Sequence, residues 1–212
     1  MKRTFILTFC LLLQACSSTT KGLGQSLWNS VFGVPGVQLT ENDIQTMPYA
    51  SQYMQLNDGP QLFVVLAFSE QGQQKWMTQD QAMLVTQHGR VVKTLQLEDN
   101  LLEVTNLNHD PLAAPNQIVD GAGWTRTMGW TEHRQVRYAV ARSTFRWDGT
   151  DTVTLAGDST VVRVLDEAVL TDEARWHNRY WVDNDGQIRK SEQYLGAGFF
   201  PVKTLLIKAA KQ

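Results

Sequence analysis

Between residues 51 and 208 the chain alternates between short strand-like runs and turn signals, and this punctuation constrains the fold more than any other feature. Gly next to Asn, Asp, Gln or His suits the positive φ angles that tight hairpin turns require. The turn signals are Asn57-Asp58-Gly59-Pro60, Gln71-Gly72, His88-Gly89, Asp148-Gly149, Gly157-Asp158 and Asn184-Asp185-Gly186. Strands joined by hairpin-sized turns form an antiparallel sheet.

The runs between these turns predict the strands. They cover residues 51–57, 61–68, 75–79, 82–87, 90–97, 101–105, 123–131, 135–147, 152–155, 161–170, 175–183, 187–195 and 202–208. So many strands need a closed or doubled sheet to protect their edges. We therefore expect an all-β fold, with a large antiparallel sheet closed as a barrel or packed as a sandwich. Residues 106–117, with two prolines, are expected to form the longest irregular loop.

Short helices are expected ahead of the sheet. Apolar residues recur at helical spacing between Leu23 and Phe32. Such a stripe either packs on the domain or lies on a membrane surface. Packing is favoured, because Lys21, just before this stretch, is the only cation near it and membrane-surface helices are usually rich in Lys and Arg. Further on, Thr40 is expected to cap a short helix that Pro48 ends.

The first residues have the organisation of a bacterial export signal. Lys2 and Arg3 precede an apolar run that is shorter than the ~20 residues needed to span a bilayer. The segment Leu13-Gln14-Ala15-Cys16 resembles the lipobox of bacterial lipoproteins, in which the signal is cut before the Cys and that Cys carries the lipid. The alternative is an ordinary secretory signal that leaves Cys16 as a free, reactive thiol.

The lipoprotein interpretation divides the chain into a signal peptide (1–15), a lipidated Cys16 with its tether (16–22) and a single β-rich periplasmic domain (23–212). Resemblance to bacterial lipoproteins implies covalent acyl chains, palmitate among them, on Cys16, and several chains anchor a protein stably. Ser17 follows the Cys, whereas an Asp there would resemble the inner-membrane retention signal. The expected location is the outer membrane, facing the periplasm, with no other cofactor.

Charge and cysteine content exclude several classes of function. Loss of Lys2 and Arg3 lowers the basic count from 19 to 17, against 21 acidic residues, so the formal net charge becomes −4. That balance disfavours nucleic acid and anionic lipid as partners. Cys10 leaves with the signal and Cys16 is acylated, so no intramolecular disulfide can form. The four His lack zinc-ligand spacing, and no metal site is expected.

Two stretches combine aromatic and cationic residues in strand alternation. In the first, Trp124, Arg126 and Trp130 would share one face, where indole rings could stack on sugar rings while Arg donates to hydroxyls. The alternative is that the seven Trp of the chain fill the core.

The second stretch is a cationic row. Arg175, His177 and Arg179 would share a face with Trp181, and the row could bind an acidic polysaccharide or the carboxylates of a partner. The alternative is a solvated face paired with acids on neighbouring strands. These two stretches supply the candidate glycan or partner contacts.

Short motifs spread along nearly the whole chain carry a resemblance to a known family. They include Pro48-Tyr49, Leu56-Asn57, Phe63-Val64-Val65-Leu66, Lys75-Trp76, Gly89-Arg90, Trp124-Thr125-Arg126, Trp181-Val182-Asp183 and Leu195-Gly196-Ala197-Gly198. These motifs resemble the GfcB/YjbF family of group 4 capsule lipoproteins, and its YjbF branch most closely. The resemblance implies an outer-membrane lipoprotein accessory to capsule or exopolysaccharide export, beside an outer-membrane β-barrel export protein and a periplasmic companion. It brings no catalytic residues.

The expected function is therefore non-enzymatic assistance to extracellular polysaccharide production or export. A second hypothesis is a carrier whose open β-barrel shelters a hydrophobic or lipid-linked ligand, which a large apolar pocket would favour. A third is a glycan-modifying enzyme, which two convergent carboxylates in a cleft would favour. Asp166-Glu167 and Asp172-Glu173 could form acid pairs, but the sequence holds no Gly-x-Ser-x-Gly elbow or phosphate-binding loop.

Overall fold

The computed structural model describes residues 39–78 and 80–210. Cys16, the tether and the helix predicted between Leu23 and Phe32 lie outside these residues. The described part begins with one α-helix, α1 (Glu41–Thr46). Thr40 caps it as predicted: its Oγ1 accepts from Asp43 N at 3.3 Å while Asp43 Oδ2 accepts from Thr40 N at 2.9 Å. No helix among the described residues is long and apolar enough to cross a membrane.

Twelve strands follow, and all of them belong to one antiparallel sheet. They are β1 (Ser51–Leu56), β2 (Gln61–Glu70), β3 (Gln73–Met77), β4 (Met83–Gln87), β5 (Arg90–Leu95), β6 (Leu101–Val104), β7 (Gly123–Glu132), β8 (Gln135–Leu155), β9 (Asp158–Leu170), β10 (Arg175–Val182), β11 (Ile188–Tyr194) and β12 (Pro201–Lys208). The order across the sheet is β5-β4-β3-β2-β1-β12-β11-β10-β9-β8-β7-β6. The prediction of an all-β antiparallel fold is confirmed.

The two edge strands, β5 and β6, approach each other and nearly close the sheet into a barrel. Thr94 on β5 bridges the seam, because its Oγ1 accepts from Leu101 N on β6 at 2.9 Å. Asn100 supports the same junction, with its Oδ1 3.1 Å from the Thr94 hydroxyl. Of the two closures left open by the sequence, the barrel is the one observed.

Strand β8 differs from the prediction. The two predicted strands, 135–147 and 152–155, are one strand of 21 residues. Asp148-Gly149 is not a hairpin turn: the register shifts between Trp147 and Thr150, and Gly149 has a φ of 80°. A single positive φ within a ladder produces a bulge that bends the strand without reversing it. The chain reverses instead at Ala156 and Gly157, where both φ angles are positive.

The interior of the barrel holds a large apolar core. One long connection covers this core at one end of the barrel. Residues 105–122 join β6 to β7 and contain three 3₁₀ turns, Leu107–His109, Pro111–Ala113 and Pro115–Gln117. Leu112 from this segment is 1% exposed within the core. The predicted loop is therefore the longest connection, but it is locally ordered and partly buried. We call residues 105–122 the end segment.

Candidate functional site

A buried network of charged side chains lies inside the barrel, with Arg90 at its centre. Arg90 begins β5, directly after the β4–β5 turn, and its side chain is 3% exposed. Its Nε donates to Asp110 Oδ2 at 2.5 Å and its Nη2 to Asp110 Oδ1 at 3.1 Å. Its Nη1 donates to Glu167 Oε2 and to Tyr180 Oη, both at 2.9 Å. One guanidinium thus joins β5 to β9, β10 and the end segment.

Glu167 is the second centre of the network and is 0% exposed. Its Oε1 accepts from Ser143 Oγ at 2.5 Å and lies 3.2 Å from Arg126 Nη1. Its Oε2 also accepts from Asn178 Nδ2 and Tyr180 Oη, each at 2.9 Å. Both carboxylate oxygens are therefore satisfied by protein donors, as a buried charge requires.

The electrostatics of this network favour the ionised carboxylate. Burial alone would raise the pKa of Glu167, but the guanidinium groups of Arg90 and Arg126 hold that pKa well below its ordinary value. Burial raises the pKa of the Tyr180 phenol well above its usual range, so the phenol keeps its proton and donates. Two arginines face two carboxylates, Asp110 and Glu167, and the network is neutral in sum.

The network also fastens the end segment to the barrel. Asp110, held by Arg90, accepts a further hydrogen bond from Leu112 N at 3.0 Å and so caps the 3₁₀ turn that carries Leu112 inward. Two indoles add to this attachment: Trp124 Nε1 donates to Asn106 O at 3.2 Å, and Trp147 Nε1 donates to Ile118 O at 2.9 Å. The buried network and these two indoles therefore hold the end segment against the barrel.

Trp124, Arg126 and Trp130, predicted as glycan contacts, share one face of β7 as expected, and that face points into the barrel. They are 4%, 3% and 5% exposed. The guanidinium carbons of Arg90 and Arg126 each lie 4.4 Å from the Trp124 ring centroid, within cation–π distance. A glycan would have to enter the barrel interior to touch these side chains.

Arg175, His177 and Arg179 lie on the outer face of β10, as the alternation predicts, and all three are exposed. His177 Nδ1 is 2.8 Å from Asp166 Oδ2, and Arg179 lies 3.6 Å from Asp166 and 3.3 Å from Asp148. Acids on β8 and β9 thus neutralise much of the row. Its role in binding glycan or a partner stays a prediction.

Trp181, predicted on the same face as this row, is buried there beneath the long β8–β9 hairpin. It packs against Val162 and Val164 of β9, and its Nε1 donates to Asp151 Oδ2 at 2.8 Å. Lys190 Nζ lies 3.9 Å from the indole centroid. The hairpin therefore covers one end of the outer row and leaves the rest open to solvent.

A cleft of about 480 Å³ opens at the end of the barrel. Three hairpin turns, β2–β3, β4–β5 and β10–β11, meet the end segment there, because alternate turns of an antiparallel barrel lie at one end. The buried floor comes from inward side chains of four strands, Gln52 on β1, Trp76 on β3, Thr86 on β4 and Thr204 on β12. Leu112 and Pro115 of the end segment form its roof.

Sequence reasoning missed the network and the cleft. Glu167 appeared only as half of an acid pair, yet it stands in an inward row between Leu165 and Val169, and a carboxylate within an apolar row signals a buried charge. Arg90 follows a turn glycine and precedes two valines, a similar signal. Among residues 39–78 and 80–210, no group of three or more His, Cys, Asp or Glu is placed to hold a metal ion.

A solved structure and two relatives define the class of protein. The crystal structure of the hypothetical lipoprotein YmcC from Escherichia coli K12 is 41% identical, with a TM-score of 0.81, over 92% of this chain and 98% of that chain. The uncharacterized lipoprotein YjbF of Escherichia coli K12 is 75% identical over the whole of both chains. The uncharacterized lipoprotein GfcB of the same strain is 40% identical over 99% of this chain and all of its own. The barrel is thus the fold of a group of lipoproteins.

The family described as group 4 capsule polysaccharide lipoprotein gfcB, YjbF matches residues 24–207. The chain belongs to this family, and the resemblance drawn from its motifs is confirmed. The family name associates it with capsule polysaccharide, and neither it nor the names of the relatives indicate an enzyme class.

Proposed function

We propose that this chain is an outer-membrane lipoprotein that faces the periplasm and acts as a non-enzymatic accessory in extracellular polysaccharide production or export. The observation that carries the proposal is membership of the capsule polysaccharide lipoprotein family across residues 24–207. The export signal with Cys16 at its end supports an anchor of covalent acyl chains. Ser17 after the Cys supports the outer membrane over the inner.

The buried network supports a non-enzymatic role for the interior. A carboxylate that works on a glycosidic bond must reach substrate, and the acid of the pair needs a raised pKa. Glu167 is fully buried, its pKa is lowered, and all its oxygens are taken by protein donors. Asp110 is occupied by Arg90 and by the turn that it caps. These side chains stabilise the barrel and leave no acid free for chemistry there.

The cleft argues against the carrier hypothesis. An acyl or polyisoprenyl chain needs an apolar cavity, since buried polar groups without partners cost free energy. Here amides and hydroxyls, among them Gln52, Thr86 and Thr204, form much of the floor. An accessory protein with a polar cleft fits a polysaccharide system better than a lipid-transfer system.

The proposed partners are the outer membrane, held through the lipid, an outer-membrane β-barrel export protein and a periplasmic companion. Crosslinking in cells that make the polymer, followed by mass spectrometry, tests the protein partners. We expect an outer-membrane export component among the crosslinked proteins. Recovery of abundant crosslinks with none to such a component would remove the export role.

The anchor is tested by Cys16→Ser, with Cys10→Ser as a matched control, because Cys10 leaves with the signal. The Cys16 variant is expected to lose fatty-acid labelling and to accumulate unprocessed or outside the outer-membrane fraction. The Cys10 variant is expected to behave as wild type in both measurements. Undiminished labelling and outer-membrane recovery of Cys16→Ser would show that the anchor is elsewhere.

A further inference from the structure

The cleft at the end of the barrel combines polar and apolar walls without a strong charge. Of the described residues that line it, none is Lys or Arg, and its two ionisable side chains, His88 and Asp185, both lie exposed on the rim. The polar walls include the amide of Gln74 and the hydroxyl of Thr86. The apolar walls include the indole of Trp76 and the side chain of Leu112. Its volume of about 480 Å³ falls within the range of roughly 300–1,000 Å³ that is usual for small-molecule sites.

One side chain in the floor lacks a partner. Gln52 is 5% exposed, and its Nε2 is buried with no hydrogen bond to any described residue. A buried amide donor without an acceptor costs free energy that a bound acceptor can recover. The neighbouring floor groups are already ordered: Trp76 Nε1 donates to Thr86 Oγ1 at 2.9 Å, and Thr204 Oγ1 lies 2.7 Å from Ser191 Oγ. The floor is therefore preorganised around an unused donor.

We infer that this cleft binds an uncharged sugar unit. An anionic ligand would meet no guanidinium or ammonium group in the described lining and one exposed imidazole, and a cationic ligand would meet only one exposed carboxylate. A fully apolar ligand would leave the amides and hydroxyls of the floor without hydrogen-bond partners. A sugar ring presents hydroxyls at its edge and C–H groups on its face, and so matches both kinds of wall.

The end segment gives the cleft a fixed roof. Asp110 is tied to Arg90 just before Leu112 enters the core, and Asn116 Nδ2 donates to Asn184 O at 3.0 Å on the β10–β11 turn. Both attachments hold the roof against the turns that form the rim, so little ordering entropy remains to be lost on binding. The choice of a sugar among uncharged hydroxylated ligands rests on the proposed role in a polysaccharide system.

Binding is tested on the full-length lipidated protein in detergent micelles, with the indole ¹H–¹⁵N signal of Trp76 as the readout, assigned by Trp76→Phe. The probes are cellotriose and β-1,4-galactotriose as neutral sugars, trigalacturonic acid as an acidic one and lauric acid as an apolar one. We expect a saturable shift with at least one neutral sugar and weaker or no shifts with the other two.

The variants report on the floor. Gln52→Leu is expected to raise the dissociation constant of the neutral sugar about tenfold, as for one lost hydrogen bond. Gln74→Ala, at a half-buried site of the same wall, is also expected to raise this dissociation constant. Gln55→Leu is the control, because it makes the same change on the outward side of β1 and should leave the constant unchanged.

The inference is overturned if no neutral sugar saturates, if Gln52→Leu binds as wild type, or if the acidic or apolar probe binds more tightly. A second measurement, the polysaccharide output of a strain lacking the gene, tests the proposed accessory role separately from sugar binding in the cleft. Reduced output without neutral-sugar binding would reject the cleft site and leave the accessory role intact. Neutral-sugar binding with unchanged output would reject the accessory role and leave the site.

Discussion

Two faces of the same strands carry charges in very different settings. On β9, Asp166 points outward and its neighbour Glu167 points inward. Glu167 is enclosed by five side chains, two of them guanidinium groups. Asp166 is itself buried, but its partners His177 and Arg179 have side chains that are 63% and 48% exposed. Water screens the outer pairs, whereas the inner pairs have no solvent to replace a lost partner. The inner charges therefore hold the fold together, and the outer row contributes little to stability.

The sharpest way to break the inner arrangement is Arg90→Met. This change leaves the carboxylates of Asp110 and Glu167 buried without their main cation and removes one attachment of the end segment, the Arg90–Asp110 pair. Removing one partner of a buried ion pair costs about 3–5 kcal/mol. We expect a loss of that size in the free energy of unfolding, measured by urea denaturation. A loss below about 1 kcal/mol, the size usual for a surface ion pair, would show that the buried network does not hold the fold together.

Acid should act on the inner face through Glu167. Its folded pKa lies below the ordinary 4.5, so its contribution to stability is complete above pH 4.5 and is lost as the pH falls further toward the folded pKa. The free energy of unfolding of wild type is expected to fall more steeply below pH 4.5 than that of Glu167→Gln. The difference in slope approaches about 1.4 kcal/mol per pH unit for one proton. Equal slopes for the two proteins would mean that Glu167 takes up no proton on unfolding.

The outer row is expected to show the smallest effect. Arg179→Ala removes contacts to Asp148 and Asp166 that are long and partly exposed. Exposed ion pairs are worth about 0–1 kcal/mol, and salt lowers that further. We expect a change in unfolding free energy below about 1 kcal/mol that diminishes in high salt. A loss comparable to that of Arg90→Met would erase the contrast between the two faces.

Local sequence rules predicted most of the fold. Turn residues and alternation located the strands, and Thr40 marked the cap of α1. The error at Asp148-Gly149 arose because a positive φ at glycine serves a hairpin and a bulge equally well. Closure into a barrel depends on whether β5 meets β6, a long-range outcome that no local pattern contains.

The sites were harder to predict than the strands. Alternation placed Trp124 and Arg126 on one face, but it does not say which face is buried. The partners of Arg126 include Ser143 and Glu167, on strands that only the folded register brings together. The cleft depends on four strands and the end segment at once, so Gln52 carried no signal in the sequence. Cys16 differs from these sites, because its chemistry is set by the residues next to it in the chain.

The proposed role in extracellular polysaccharide is tested most directly by one measurement. The gene is deleted in a cell that makes the polymer, and secreted polysaccharide is quantified with and without a plasmid copy. We expect deletion to lower secreted polysaccharide, the wild-type copy to restore it, and a Cys16→Ser copy produced at equal level to fail. Unchanged polysaccharide amount and composition after deletion would contradict a role of this protein in polysaccharide production or export.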